Sequence, residues 1–251
     1  MSLENVYEFA LSSQFILAVI VFLALLFVSA PYGKFSRKGW GPRMNSLAAW
    51  ALMEAPAVLV IAFLAWQFRE NIGWSWVYLV IWEFHYIYRT VVFPARMGRG
   101  RPTFPVSMAL SAVFFNSLNG FINGVALFYL QPLTNPSWFF DARFLLGLGV
   151  FFAGFLIHVD ADRRIQDQKP GPGQYIVPQG GMYRWVSCPN YLGEIIQWFG
   201  WALLTWSPAA LAFALFTFAN VFPRGLAGHR WYQKTFEDYP VERRAVIPGL
   251  I

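Results

Sequence analysis

The sequence predicts an all-α integral membrane protein of seven transmembrane helices, with the N-terminus outside and the C-terminus cytoplasmic. Three observations carry this. Hydrophobic residues make up 57% of the 251 positions and charged residues only 13%, against about 25% charged in average proteins. The remaining charges are gathered into short clusters between long charge-free stretches. When the chain crosses seven times, all of its 19 basic residues except Arg69 and Arg143 fall on one side, as the positive-inside rule requires.

This composition excludes intrinsic disorder, and a lone cysteine, Cys188, excludes a disulfide scaffold. Cys188 reads as a packing residue. A net charge of +6 would suggest nucleic acid in a soluble protein. In a chain this apolar no nucleic-acid partner is expected, and the charges orient the protein in its membrane.

Residues 9–33 carry no charge and residues 15–28 are unbroken apolar sequence, enough to cross a bilayer core at about 1.5 Å rise per residue. Glu4 and Glu8 stand where a cleavable signal peptide would be basic, so the first span, about 9–30, reads as a retained anchor. A second span, about 45–67, holds the single charge Glu54. Pro56 beside it predicts a kink or a water-lined break. A third, about 74–93, contains Glu83, His85 and Arg89. The fourth, about 105–130, ends at the breakers Gln131-Pro132 and Asn135-Pro136. The fifth runs about 143–160.

Residues 195–223 are charge-free and could form one tilted helix or two short spans broken at Trp206-Ser207-Pro208. Six spans would put the basic tail (Arg224, Arg230, Lys234, Arg243, Arg244) on the wrong side. Two spans are therefore expected, about 189–206 and 208–224. Residues 161–187, with Lys169-Pro170-Gly171-Pro172-Gly173 and Pro178-Gln179-Gly180-Gly181, read as a cytoplasmic loop of one single-domain chain.

Ionisable groups inside a membrane are costly and so informative. Glu54, Glu83 and Glu194 qualify. Glu54 is the deepest, and a functional role is favoured for it over a packing hydrogen bond. Glu83 lies within two turns of Arg89 and could be its structural partner. Glu83 and Tyr86 share one helix face; His85 and Arg89 share another. A tyrosine stays protonated at neutral pH and suits polarising a buried carbonyl. The plainer alternative is a place in the interfacial aromatic belt.

In His158-Val159-Asp160-Ala161-Asp162-Arg163-Arg164 the i,i+4 pair Asp160–Arg164 reads as a salt bridge. Such mixed charges at the cytoplasmic rim could also hold a ribose and a phosphate. No metal is expected, because His85, His158 and His229 lie in separate segments without ligand spacing. Gly98-Arg99-Gly100-Arg101-Pro102 lacks the third glycine of a Rossmann fingerprint, and no phosphate-binding loop of the GxxxxGK[ST] type exists. Any nucleotide must therefore sit in a helical membrane pocket.

Several tracts together resemble the steroid 5α-reductase family. They are Pro178-Gln179-Gly180-Gly181-Met182-Tyr183, Val186-Ser187-Cys188-Pro189-Asn190-Tyr191-Leu192-Gly193-Glu194, and His229-Arg230-Trp231-Tyr232 through Phe236-Glu237-Asp238-Tyr239-Pro240. Ala245-Val246-Ile247-Pro248, His85-Tyr86 with Arg89-Thr90, Gly98 to Pro102, and Glu54-Ala55-Pro56 fit it too. The resemblance runs from about residue 50 to the end and is most specific in the C-terminal third.

The resemblance implies NADPH-dependent reduction of the Δ4 double bond of a 3-oxosteroid. It implies that Glu54 and Tyr86 hold the C3 carbonyl, with Glu54 either donating from its protonated form or orienting Tyr86. Trp50 and Trp198 would flank the steroid. Asn190, Glu194, Arg224 and Tyr232 would contact NADPH, with Arg101, Asp160 and Arg164 nearer its cytoplasmic end. His229 is a further cofactor candidate, in a stretch reduced here to Ala227-Gly228-His229. Met53 stands where the family commonly has a glutamine. The implied partners are a steroid or related lipid enone and the membrane lipid, with no obligate protein partner. The membrane would be the inner membrane in a bacterium and the endoplasmic reticulum otherwise. Kept beside this reading are another membrane sterol or enone reductase, an isoprenylcysteine-type methyltransferase, and a non-enzymatic lipid-binding protein without cofactor.

Overall fold

The computed structural model describes residues 2–96, 103–171 and 174–251. Among these the chain is a bundle of long helices with one minimal hairpin, β1 (Arg43–Met44) against β2 (Phe104–Pro105).

Helix α1 (Leu3–Phe27) starts at Ser2, whose hydroxyl accepts from the Asn5 amide at 3.3 Å. Helix α2 (Ser46–Gln67) is capped by Asn45, whose side chain accepts from Leu47 and Ala48, satisfying two of the amides a helix start leaves free. Pro56 does not break it: α2 remains one helix through that position, where the sequence suggested a kink or break. Helix α3 (Trp76–Ile87) passes into a π-helical turn, Tyr88–Val92, and the short α4 (Phe93–Arg96). Helix α5 (Val106–Val125) likewise ends in a π-helical turn, Ala126–Leu130.

Helix α6 (Ala142–Gln168) continues well past the expected boundary at 160. Its charged end, read from sequence as loop, is held helical by the Arg164–Asp160 pair at 2.6 Å. Helices α7 (Pro189–Thr205) and α8 (Pro208–Thr235) separate where Trp206 adopts the left-handed conformation at φ 51° and Ser207 caps the next helix. Helix α8 also outlasts its expected end at 224.

Among the described residues five helices are long and apolar enough to cross a membrane: α1, α2, α5 with its π extension, α6 and α8. They make this a multi-pass membrane protein. The other two expected spans are helical in place. One is interrupted by its π turn and the other has only 17 residues, so neither reaches that length and apolarity alone. Phe9, Ile16, Ile20, Leu59, Phe63, Phe114 and Leu146 face outward, as lipid-contacting residues do.

Glycines set the closest helix contact. A Cβ on Gly154 of α6 would lie 2.6 Å from the Gly193 carbonyl and would collide with the Gln197 amide. A Cβ on Gly193 would lie 2.5 Å from the His158 amide. Gly147 and Gly200 meet in the same manner one layer away. Where lipid replaces water, such small residues let two backbones touch and gain packing that longer side chains would prevent. The consequence is functional: α7 presents its polar first turns directly against the end of α6.

Candidate active site

Beside this contact the helices enclose a cavity of about 840 Å³, bounded by α1, α2, α3, α5, α7 and α8. Six residues singled out from sequence line it: Trp50, Glu54, Tyr86, Glu194, Trp198 and Arg224. Its walls are otherwise mainly apolar, with Phe115, Phe213 and Phe216 among them. Trp198 stacks obliquely on Phe213 at 4.2 Å and on Tyr86 at 5.7 Å. Trp82 behind them is fully buried and donates its indole N–H to the Ala57 carbonyl at 2.9 Å. Tyr86, only 3% exposed, is thus held in an aromatic cage with its hydroxyl beside Asn119 and near Glu54.

The polar floor is an ion cluster centred on Arg89. Its guanidinium lies 3.4 Å from Glu54, 3.6 Å from Asp162 and 3.8 Å from Glu194, and lies against the neighbouring rings of Trp50 and Phe93 at 4.7 and 4.8 Å. His158, fully buried, bridges Asp162 and Glu194 at 3.4 Å each. The Asn190 amide donates to Asp162 at 3.3 Å. Three carboxyl groups therefore share one guanidinium and one imidazole, and each depends on this pairing to stay buried.

The remaining candidates occupy the same end of the bundle. Asp160 and Arg164 form the predicted pair and pack under the Gly180–Gly181 turn, where a Cβ on Gly181 would lie 2.6 Å from the Asp160 carboxylate. Both glycines have positive φ, which only glycine adopts freely. Arg224 donates to Tyr191 at 3.1 Å and Asn220 at 3.0 Å. Lys34, from the segment after α1, stands over the Tyr232 ring at 4.3 Å, and burial pushes its ammonium below the usual lysine range. His229 is engaged elsewhere: its Nδ1 lies 2.6 Å from the Ser187 hydroxyl, which also meets Tyr239. That set ties the end of α8 to the C-terminal tail. Arg101 lies outside the described residues. Among the described residues no cluster of metal-ligating side chains is present.

The sequence left open a pair between Glu83 and Arg89; Arg89 turns to Glu54 instead. Glu83 does not line the cavity, so its shared face with Tyr86 does not extend to the site. Asp162 and His158 were not selected, although Phe155, His158 and Asp162 recur at helical spacing on the buried face of α6. Also missed was a chain of neutral polar groups. Gln14 and Asn123 both donate to the side-chain oxygen Oδ1 of Asn119 at 3.1 Å, and Trp201 donates to Asn123 at 3.1 Å. Asn116 donates to the Met53 carbonyl and to Glu54.

The sequence profile described as 3-oxo-5-alpha-steroid 4-dehydrogenase matches residues 102–251. The chain is 40% identical over 252 residues to the steroid 5-alpha-reductase of Gossypium hirsutum, covering 98% of this chain and 97% of that protein. It is 40% identical over 230 residues to 3-oxo-5-alpha-steroid 4-dehydrogenase 2 of Homo sapiens, covering 89% of each. With 3-oxo-5-alpha-steroid 4-dehydrogenase 1 of Bos taurus it shares 34% identity over 94% of its length.

Proposed function

The chain belongs to the 3-oxo-5-alpha-steroid 4-dehydrogenase family and is an oxidoreductase acting on a CH–CH bond; from that premise we propose that it reduces the Δ4 double bond of 3-oxosteroids with NADPH. The methyltransferase and carrier readings fall away with family membership. The observation that carries the proposal is the placement of Glu54 and Tyr86 together on one largely apolar cavity walled by Trp50 and Trp198.

The residues present fit a dinucleotide. Arg224 and Lys34 supply cations where Tyr191 and Tyr232 supply ring faces, a set suited to phosphates and an adenine. Asn190, Glu194, Arg224 and Tyr232 would hold the cofactor, with Asp160, Arg164 and Arg101 toward its far end. When bound, NADPH would supply a hydride to the β carbon of the enone, and water or Tyr86 would supply the proton that the α carbon takes.

The chain's part is to stabilise charge and exclude water. Negative charge develops on the C3 oxygen as the enolate forms. Tyr86 can place a hydroxyl donor there in a dry environment, and one such donor is worth about a hundredfold to a thousandfold in rate. Glu54 has Arg89 on one oxygen and Asn116 on the other. This supports an orienting carboxylate over direct donation. Trp50, Trp198 and Phe213 give the flat, apolar walls that a steroid requires. The protein would lie in the membrane with seven crossings, N-terminus outside and tail cytoplasmic.

The test is purification in detergent, mass spectrometry for bound NADPH, and nicotinamide absorbance on adding a 3-oxo-Δ4 steroid. Oxidation of NADPH with formation of the 5α-reduced ketone is expected. Tyr86→Phe should lower turnover about a hundredfold or more with NADPH affinity retained. Neither bound dinucleotide nor NADPH oxidation would overturn the proposal, and a fully active Tyr86→Phe would remove that residue from it.

A further inference from the structure

Nothing in the sequence marked Asn116, a neutral residue midway along α5. In the structure it is 7% exposed, lines the cavity, and aims its amide group across to α2. One N–H bond goes to the Met53 carbonyl at 2.7 Å and the other to Glu54 Oε2 at 3.4 Å. Arg89, from the π turn after α3, takes Oε1 of the same carboxyl at 3.4 Å. The shorter bond to the backbone anchors the amide nitrogen, and from there its second hydrogen reaches the carboxyl.

The reach of so short a side chain depends on glycines. Asn116, Gly120 and Gly124 repeat every fourth residue and so form one face of α5. A Cβ on Gly120 would lie 3.3 Å from Val60 Cβ, and one on Gly124 would lie 2.6 Å from Leu64 Cδ1. Along that face α5 lies as close to α2 as two helices with ordinary side chains could not. Asn116 is the polar end of the same face, directly opposite Glu54.

We propose that Asn116 is a positioning residue for the reduction: together with Arg89 it clamps the Glu54 carboxyl from two helices and holds it in the orientation in which it supports Tyr86. This rests on the role of Glu54 proposed above. It also accounts for a site in which Met53, a thioether without a hydrogen-bond donor, precedes the glutamate. The donor comes from the neighbouring helix.

The experiment is a double-mutant cycle on the full-length protein in detergent, with NADPH and progesterone as probes. Asn116→Leu should lower kcat about tenfold to a hundredfold, the range for removing a hydrogen bond to a charged group. The KM for NADPH should stay within about twofold, because the cofactor contacts are elsewhere. In a Glu54→Gln background the same change should cost less than about twofold more, since residues acting as one unit are not additive. A loss that persists in full in that background means Asn116 supports only the helix, and overturns the proposal; so does wild-type kcat in Asn116→Leu. Should the leucine variant fail to fold, the near-isosteric Asn116→Asp reads the same point. Its carboxylate faces Glu54, so an equal or larger fall in kcat is expected, and wild-type kcat overturns the clamp. Wild-type activity in Glu54→Gln alone withdraws the role of Glu54 and the clamp with it. An impaired Glu54→Gln beside a normal Asn116→Leu withdraws the clamp alone.

Discussion

Arg89 shows why single residues in this bundle are not interchangeable. Its guanidinium touches Glu54, Asp162 and Glu194 and lies over two aromatic rings, so planarity and charge are both used. Removing one partner of a buried ion set leaves the others uncompensated, at about 3–5 kcal/mol. Arg89→Leu should therefore lower the thermal midpoint in detergent sharply and abolish turnover. A variant that melts within a few degrees of the parent would show that the carboxylates do not depend on Arg89. Glu54 and Tyr86 were legible in sequence because a charge deep in an apolar span is expensive and so conspicuous. Asp162 was not, because Asp160 and Arg164 offered an obvious pair four residues apart. Only the orientation of α6 shows that Asp160 meets the rim while Asp162 meets Arg89. Asn116 and Asn119 carry no charge, so the rule that found Glu54 passed over them.

At the scale of helices, backbone contact between α6 and α7 brings His158 and Asp162 against Asn190 and Glu194. Gly147 and Gly154 stand seven apart on α6, and Gly193 and Gly200 seven apart on α7, so the pairs recur at matching heights. That spacing was present in the sequence but does not name its partner helix, and so it gave no contact. Helix ends were read best where chemistry stops a helix, as at Trp206-Ser207-Pro208. They were read worst where charge imitates a loop, as beyond 160, because charged residues at i,i+4 spacing also stabilise helix. Two substitutions on one helix separate packing from propensity. Gly154→Ala puts a methyl into the α7 backbone and should lower both thermal stability and turnover. Gly149→Ala meets nothing within 4 Å and replaces glycine by the best helix former, so it should be neutral or stabilising by up to about 1 kcal/mol. Equal midpoints for the two variants would show that α6 and α7 do not need their close approach.

For the whole molecule, the distribution of basic charge predicts which way the bundle faces. Trp66, Trp74, Trp76 and Trp206 are exposed toward the end of the bundle where Arg69 follows α2 and Arg143 lies in the first turn of α6. Tryptophan collects at membrane interfaces, and Arg69 and Arg143 stack on Trp66 and on Trp138 and Trp206 there. The opposite end holds the Arg89 cluster and the tail, and the proposed orientation would make that end cytoplasmic. The lone cysteine makes this measurable. Cys188 is buried at the start of α7, and burial pushes its thiol above the usual range with Lys34 and Arg224 pulling partly back. It should therefore react slowly with maleimides in the native protein, and Cys188→Ser removes it altogether. In that background Ser2→Cys and Glu237→Cys each place an exposed thiol near one terminus. Seven crossings with the N-terminus outside require that a membrane-impermeant maleimide label Ser2→Cys on intact cells and Glu237→Cys only after the membrane is opened. Labelling of both from one side would mean an even number of crossings. Either Trp76–Arg96 or α7 would then have to be re-entrant, and the basic tail would face away from the other cytoplasmic clusters.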